Sequence, residues 1–325
     1  MSDAVRTCNL PEGVFSLIYG TGSEVGVRLV QLPSIKAGGF TGSRAGGLAL
    51  LKVASTRPEP IPFYAEMSSV NPVFVLPSSL AARREEIAKG LHGSVTLGAG
   101  QFCTNPGLVF IPEQGSDQLI KELGELMAAT SSFTMLTEGI SSAYREGAAA
   151  PQQNSRVTSI AQSDVKDGCF AGAGLFATDA GSFLEDPSLS AEVFGPSTLL
   201  VKYSNRDELL RIAQGLEGQL TATIHASDDE LKSHGDLVAV LETKAGRLVF
   251  NGFPTGVEVG HAMVHGGPFP ATSDGRNTSV GTRAALRFVR QVCYQDFADS
   301  ALPDELKDAN PLRIWRMVDG EMTKN

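Results

Sequence analysis

Cys103 stands in the run Thr96-Leu-Gly-Ala-Gly-Gln-Phe-Cys-Thr-Asn-Pro-Gly107, with a Gly-x-Gly before it and a helix-breaking Asn-Pro-Gly after it. Glycine and proline in that arrangement predict a mobile turn. Such a turn leaves the sulfur reachable and the Cys103 amide free to donate to a developing oxyanion, the setting a nucleophilic thiol requires. A packed, inert cysteine is the other reading, and it suits Cys8, Cys169 and Cys293, which lack these flanks. A cysteine hydrolase would also need a histidine base. None lies near Cys103 in sequence, so a spatial partner among His92, His225, His234, His261 and His265 stays open.

Three further spots carry chemically useful groups. Glu66 ends the apolar run Phe63-Tyr-Ala-Glu66. A carboxylate beside that much apolar surface has its charged form disfavoured, which suits a general base near neutral pH. Capping of the next turn is an equal reading of Glu66. Gly42-Ser43, on a turn opening a helix, offers backbone amides and a hydroxyl to a phosphate. An ordinary βα turn explains those two residues better on their own, and no Gly-x-Gly-x-x-Gly follows the first apolar run. In Glu192-Val-Phe-Gly-Pro196 the carboxylate can accept from a sugar diol while Phe194 packs on a flat ring, although a plain loop-to-strand turn has the same composition.

The elements that must hold these groups follow from hydrophobic pattern. Val14–Tyr19, residues 61–67, 71–75, 108–111, 197–203, 221–225 and 247–250 are short apolar, β-rich runs and are predicted as strands. Residues 23–31, 48–55, 80–91, 117–129 and 207–216 carry helical periodicity, with Ser79 the expected cap of the third. Alternating strands and helices predict an α/β fold with a mainly parallel sheet. Residues 147–154 are expected as an exposed loop, and Arg287–Tyr294 as a half-exposed strand at a sheet edge shared with another subunit.

Composition narrows the class. The 325 residues are 42% hydrophobic and 19% charged, ordinary for a globular protein, and can form two domains or one large one. A net charge of −9 argues against nucleic acid or an anionic membrane as the main partner. There is no apolar run long enough for a transmembrane helix and no signal-peptide core. Four widely spaced cysteines without a Cys-x-x-Cys pair disfavour a disulfide framework or a metal site, and imply a reducing cytoplasm.

Taken together, Phe40-Thr-Gly-Ser43, a glutamate ending a strand before Ser69-Val-Asn-Pro72, Gly100-Gln-Phe-Cys-Thr104 and Glu192-Val-Phe-Gly-Pro196 resemble the aldehyde dehydrogenase superfamily in order and spacing. Asn251-Gly252 and Gly266-Gly-Pro-Phe-Pro-Ala-Thr-Ser273 extend the match. With Ala65-Glu-Met-Ser-Ser-Val-Asn-Pro72 they look most like its 2,5-dioxovalerate (α-ketoglutarate semialdehyde) dehydrogenase branch. The resemblance implies a partial Rossmann-like cofactor domain (1–66), a parallel-sheet catalytic domain (67–275) and a C-terminal segment with an oligomerisation strand (276–325).

It also implies roles. Cys103 is the nucleophile, and Glu66 the general base for the cysteine or the deacylating water. Gly42 and Ser43 meet the cofactor pyrophosphate, Glu192 holds the nicotinamide ribose, and Phe194 lies against the nicotinamide. Phe102 and Phe269 are candidate walls of the aldehyde tunnel. The implied activity is NAD- or NADP-dependent oxidation of a semialdehyde through a cysteine thioester, in a dimer or tetramer. The glutamate favours hydrolysis over acyl transfer to coenzyme A. The family's upstream oxyanion-hole asparagine and adenosine-ribose lysine have no counterpart before Val14, so the chain resembles an N-terminally shortened member. The alternative expectation is a fragment or split-enzyme subunit with little activity alone.

Overall fold

The computed structural model describes residues 1–324, which divide into two compact units, the second beginning at Phe288. The first unit holds strands β1 (Gly38–Thr41), β2 (Phe63–Glu66), β3 (Val73–Val75), β4 (Leu108–Pro112), β5 (Phe133–Thr134), β6 (Thr158–Gln162), β7 (Phe170–Ala171), β8 (Gly174–Asp179), β9 (Ser197–Tyr203), β10 (Gln219–His225) and β11 (Ala245–Phe250). Seven of them form one sheet in the order β11-β10-β3-β4-β9-β8-β6, parallel throughout except for β6 at one edge.

Alternate strand residues point to opposite faces. Phe74, Leu108, Phe110, Leu199 and Val201 pack with Phe183, Leu209, Ile212 and Leu241 from helices Ala180–Glu185, Arg206–Gly215 and Gly235–Lys244. Val73, Val75, Val109, Ile111, Leu175 and Leu200 pack with Leu80, Ile87, Leu91, Leu119 and Leu123 from helices Pro77–Thr96 and Asp117–Ala128. Because helices cover both faces, these strands read as unbroken apolar runs rather than as alternation. That is why periodicity found them.

A smaller two-stranded parallel sheet, β1–β2, packs with helices Gly22–Gln31 and Arg44–Ser55 around Val30, Ala54, Phe63, Ala65 and Met67. β2 carries Glu66 at its end. In the second unit, β12 (Arg316–Val318) and β13 (Glu321–Thr323) form a hairpin whose turn residues Asp319 and Gly320 both have positive φ. That is the turn whose twist matches flanking antiparallel strands.

Several expectations need correction. Val14–Tyr19 forms no strand, since no strand of the structure pairs with it, and Tyr19 is 84% exposed. Residues 147–153 are helical, the end of helix Glu138–Gln153: its alanines are strong helix formers, and Pro151 falls in the last turn. Helix Pro77–Thr96 starts earlier than expected. Its N-cap is Leu76, with Pro77 in the first turn where a missing N–H costs nothing, so Ser79 is interior rather than a cap. Residues 289–294 have no regular structure, because alternation supplies side chains for a strand but not the neighbour that its backbone needs.

A buried polar knot joins the sheet to the cysteine loop. Asn71, fully buried just before β3, donates through Nδ2 to the carbonyls of Cys103 (2.9 Å), Asn105 (2.9 Å) and Ser69 (3.3 Å). Its Oδ1 accepts from the hydroxyls of Ser69 and Thr221, and the Gln219 side-chain carbonyl accepts from the Val70 and Asn71 amides. Asn71 sits at φ +47°, a left-handed conformation that asparagine tolerates better than most residues.

Asn71→Asp is therefore expected to destabilise the fold more than Asn71→Gly. Glycine keeps the backbone conformation but leaves buried carbonyls unpaired, at about 1–3 kcal/mol each. Aspartate adds an acceptor facing those same carbonyls. Urea unfolding of both variants beside wild type measures the order; a glycine variant as stable as wild type would show that the amide's donors do not matter, and equal midpoints of the two variants that the added acceptor does not.

Candidate active site

Three segments converge on the sulfur of Cys103. The first is β2, which ends in Glu66. The second is a strap at residues 265–273 that lies along β2: Met67 N–H donates to the Ala271 carbonyl (2.8 Å) and Ser273 N–H to that of Ala65 (2.8 Å). The Ser273 hydroxyl accepts from the Ala65 amide and donates to the Phe63 carbonyl. A Cβ on Gly267 would sit 2.0 Å from the Gln219 carbonyl oxygen, so only glycine lets the strap lie this close to the sheet. The third segment is the cysteine loop.

That loop is tied to the rest of the fold by backbone contacts that its glycines permit. Gly98, Ala99 and Gly100 take successive left-handed conformations. Gly100 is buried, and a Cβ there would lie 2.2 Å from the Gly195 backbone. Asn105 Nδ2 donates to the Gly195 carbonyl (2.9 Å), and the Gly107 amide to that of Val70 (2.9 Å). The glycines serve close backbone approach, and Cys103 stays half-buried and reachable.

At the convergence, His265 Nε2 lies 3.3 Å from Cys103 Sγ and 3.1 Å from Glu66 Oε1. The reactive atoms of the three residues are all within 4.8 Å of one another. Ser279 Oγ donates to Glu66 Oε2 (2.8 Å) and to the His265 carbonyl (3.1 Å). Glu66 and His265 are both more than nine-tenths buried. Burial, the largest influence on Glu66, raises its carboxyl, but His265, Ser279 and Cys103 together outweigh it and hold the group below its ordinary value. The expected shift toward neutrality is thus reversed: the sequence shows the apolar surroundings of Glu66 but not the cation beside it. Burial opposes the charged His265 ring, and hydrogen bonds and charge from Cys103 and Glu66 overcome it, raising the ring to about 9. Both contacts meet the same ring nitrogen. A cysteine-hydrolase relay uses opposite nitrogens of the ring, so this arrangement is a shared donor rather than a relay.

His265 is the residue that reading the sequence left unassigned among five. The others lie elsewhere: His92 contacts Thr130, His225 is buried against Phe253, His234 bonds the Glu230 carbonyl, and His261 faces Thr282. The one signal for His265 was its place immediately before Gly266-Gly-Pro-Phe-Pro-Ala-Thr-Ser273.

The remaining candidates divide. Glu192 Oε1 accepts from the Ser69 amide (3.4 Å), which brings it to the segment following Glu66, and burial raises its carboxyl despite hydrogen bonds from Ser68 and Ser69. Phe194 follows half-buried, one residue before the Gly195 contact. Ser43 caps helix Arg44–Ser55, its Oγ accepting from the Gly46 amide, and Gly42-Ser43 is exposed. The Phe102 ring lies over Gly98, next in sequence to Cys103. Phe269 is 60% exposed and stacks near Arg44 (5.9 Å), on the Ser43 side.

The sequence profile of the aldehyde dehydrogenase family matches residues 1–278. The chain belongs to that family. Alpha-ketoglutaric semialdehyde dehydrogenase 2 of Azospirillum brasilense is 49% identical over 98% of the chain, and alpha-ketoglutaric semialdehyde dehydrogenase of Acinetobacter baylyi 46% identical over 99%. The chain spans 61% of the length of each. An aldehyde dehydrogenase from Bacillus cereus superposes over 88% of this chain and 57% of its own, with a TM-score of 0.75 at 17% identity, a likeness of fold. Among the described residues of this aldehyde dehydrogenase family member, no helix is long and apolar enough to cross a membrane.

The buried pair sets a pH dependence of stability. His265 is raised from 6.5 to about 9 by folding, so its contribution is complete below pH 6.5 and is lost as pH rises toward 9. Glu66 is lowered, so its contribution is lost as pH falls below 4.5. Thermal melts should show a decline between pH 6.5 and 9 that is flattened in His265→Gln. An unchanged slope in that variant would show that the ring is not held protonated.

Proposed function

We propose that this chain carries the catalytic chemistry for NAD(P)-dependent oxidation of an aldehyde to a carboxylic acid through a cysteine thioester. We further propose that the aldehyde is a semialdehyde such as 2,5-dioxopentanoate. The observation that carries the reading is the meeting of a reachable Cys103 with a buried, ionised Glu66 within 4.8 Å. The names of the two relatives supply the substrate class.

The residues fit a nucleotide cofactor. The exposed Gly42-Ser43 turn begins a 12-residue helix, whose amide end favours an anion such as a pyrophosphate. Glu192, anchored by the Ser69 amide, offers carboxylate oxygens suited to a ribose diol, and Phe194 offers a face to a flat ring. When bound, the nicotinamide supplies the hydride acceptor.

The chain's own residues do the rest. Cys103 Sγ adds to the carbonyl carbon, and the aldehyde π electrons move onto oxygen. The loop carrying the sulfur holds still during attack because Asn71, Asn105 and Gly100 fix it on three sides. Glu66, held by Ser279 at Oε2 and by His265 at Oε1, has one further lone pair on each oxygen with which to take a proton from the water that cleaves the acyl-cysteine. With Phe102 next to the nucleophile and half-exposed, an apolar wall lies beside the entering chain. Phe269, its ring 5.9 Å from the Arg44 guanidinium, would form the second wall of the aldehyde path at its edge toward Gly42-Ser43.

Reduced-nicotinamide absorbance, followed with a semialdehyde and either cofactor, tests the reading. Cys103→Ser should give no product. Glu66→Gln should lower steady-state turnover by about 10²–10⁴-fold, the usual contribution of a general base, while still releasing up to one equivalent of reduced cofactor per site. Undiminished turnover in Cys103→Ser would overturn the assignment.

A further inference from the structure

We propose that Arg247 is a specificity-determining residue whose guanidinium binds the carboxylate of an oxo-acid aldehyde while the aldehyde end meets Cys103. The inference rests on the dehydrogenase reading above and names the part of the substrate that this residue selects.

Arg247 sits on β11 beside Thr221 of β10, and Thr221 bonds the same Asn71 side chain that holds the Cys103 carbonyl. The preceding residue, Gly246, abuts the strap. A Cβ there would lie 2.1 Å from the carbonyl oxygen of Gly266, next in sequence to the His265 ring that touches the sulfur. From this place the guanidinium holds the loop that follows β11: Nη2 donates to the Pro254 carbonyl (2.6 Å) and Nη1 to that of Gly256 (3.2 Å). Between those two residues, the Thr255 hydroxyl lies 3.1 Å from the Ser94 carbonyl and 3.4 Å from that of Thr104, which follows the nucleophile. One short loop therefore joins the arginine to the cysteine loop.

The charge of Arg247 lacks a carboxylate. Among the described residues no acidic side chain pairs with it, and its Nε is buried without an acceptor. Burial disfavours the charged guanidinium, and Cys103 is the group near enough for its charge to oppose that effect. A guanidinium stays ionised inside proteins, so one that is half-buried and unpaired carries a desolvation cost that an arriving anion offsets. Two of its five N–H groups are engaged, which leaves the others for a ligand. Their planar fork matches a carboxylate better than a point charge does.

There is room for such a ligand. Arg247, Gly246, Glu258, His261, Met263 and Val264 line an open cavity of about 570 Å³, within the usual range of small-molecule sites. Val264 is next in sequence to His265. Glu258 and His261 are exposed, and His261 faces Thr282, so Arg247 is the half-buried charge of this cavity. In 2,5-dioxopentanoate only two methylenes and a ketone separate the aldehyde carbon from the carboxylate. The anion site must therefore lie close to the sulfur, as Arg247 does.

Protection of Cys103 from iodoacetamide in the full chain, read by mass spectrometry at neutral pH, tests this without cofactor or turnover. The probe is 2-oxopentanoate, which keeps the oxo-acid end and has no aldehyde to react; pentan-2-one is its uncharged counterpart. In wild type the first should slow alkylation and the second should not. Arg247→Gln should raise the half-protecting concentration of 2-oxopentanoate about 10–100-fold, the usual worth of a hydrogen bond to a charged group. Arg247→Lys should fall between. Half-buried Cys169 serves as the internal control for folding. An unchanged half-protecting concentration in the Gln variant, equal protection by pentan-2-one, or no protection of wild type overturns the proposal. If the Gln variant exposes Cys169, the Lys variant decides by the same criterion. Absence of turnover with every aldehyde would sink the dehydrogenase reading while leaving this protection pattern intact.

Discussion

The side-chain amide of Asn71 donates to the carbonyls of Ser69, Cys103 and Asn105, and the geometry of the site is set by where those three carbonyls are held. One carbonyl belongs to the segment that continues from β2 and Glu66; the other two are those of Cys103 and Asn105 in the cysteine loop. A single buried group thus relates the segment after Glu66 to the loop that carries the Cys103 sulfur. Its own position is secured from the large sheet through Thr221 and Gln219 of β10. In water such bonds would contribute little net stability. Inside the protein each unmade one would cost the full desolvation of its acceptor, so the arrangement resists partial loosening.

On that frame the electrostatics are a contest between burial and pairing. Burial alone would neutralise Glu66 and His265; together they keep each other charged. Glu192 shows the other outcome. Among the described residues it is met by hydrogen bonds from Ser68 and Ser69 rather than by a cation, and burial raises its carboxyl. The two glutamates thus shift in opposite directions: Glu66 is met by His265, Ser279 and Cys103, and Glu192 by hydrogen bonds from Ser68 and Ser69 that do not offset its burial.

Much of this was legible in the sequence, and the failures have physical causes. The central strands were found because both faces are buried, and Cys103, Glu66 and Glu192 stood out by residue type and setting. Residues 147–153, expected as a loop, are helical because alanine favours the helix and Pro151 falls in the final turn. Val14–Tyr19 has the composition of a strand, but composition cannot supply a neighbour. The glycines at 98 and 100 stood out in the sequence, but their packing role did not. They permit contact with Gly195, and a backbone contact between distant segments leaves no local trace. His265 escaped for the same reason: its partners are 162 and 199 residues away.

Those separations bear on how the protein is made. A chain emerging from its N-terminus presents Glu66 and Cys103 long before residue 265 exists, and N-terminal parts can fold as they appear. The knot around Asn71 must also wait, because Gln219 and Thr221 arrive late. Throughout most of synthesis, then, the cysteine has neither its fixed loop nor its ring partner. The completed site is a late event of biogenesis, joined when the 265–273 strap docks along β2.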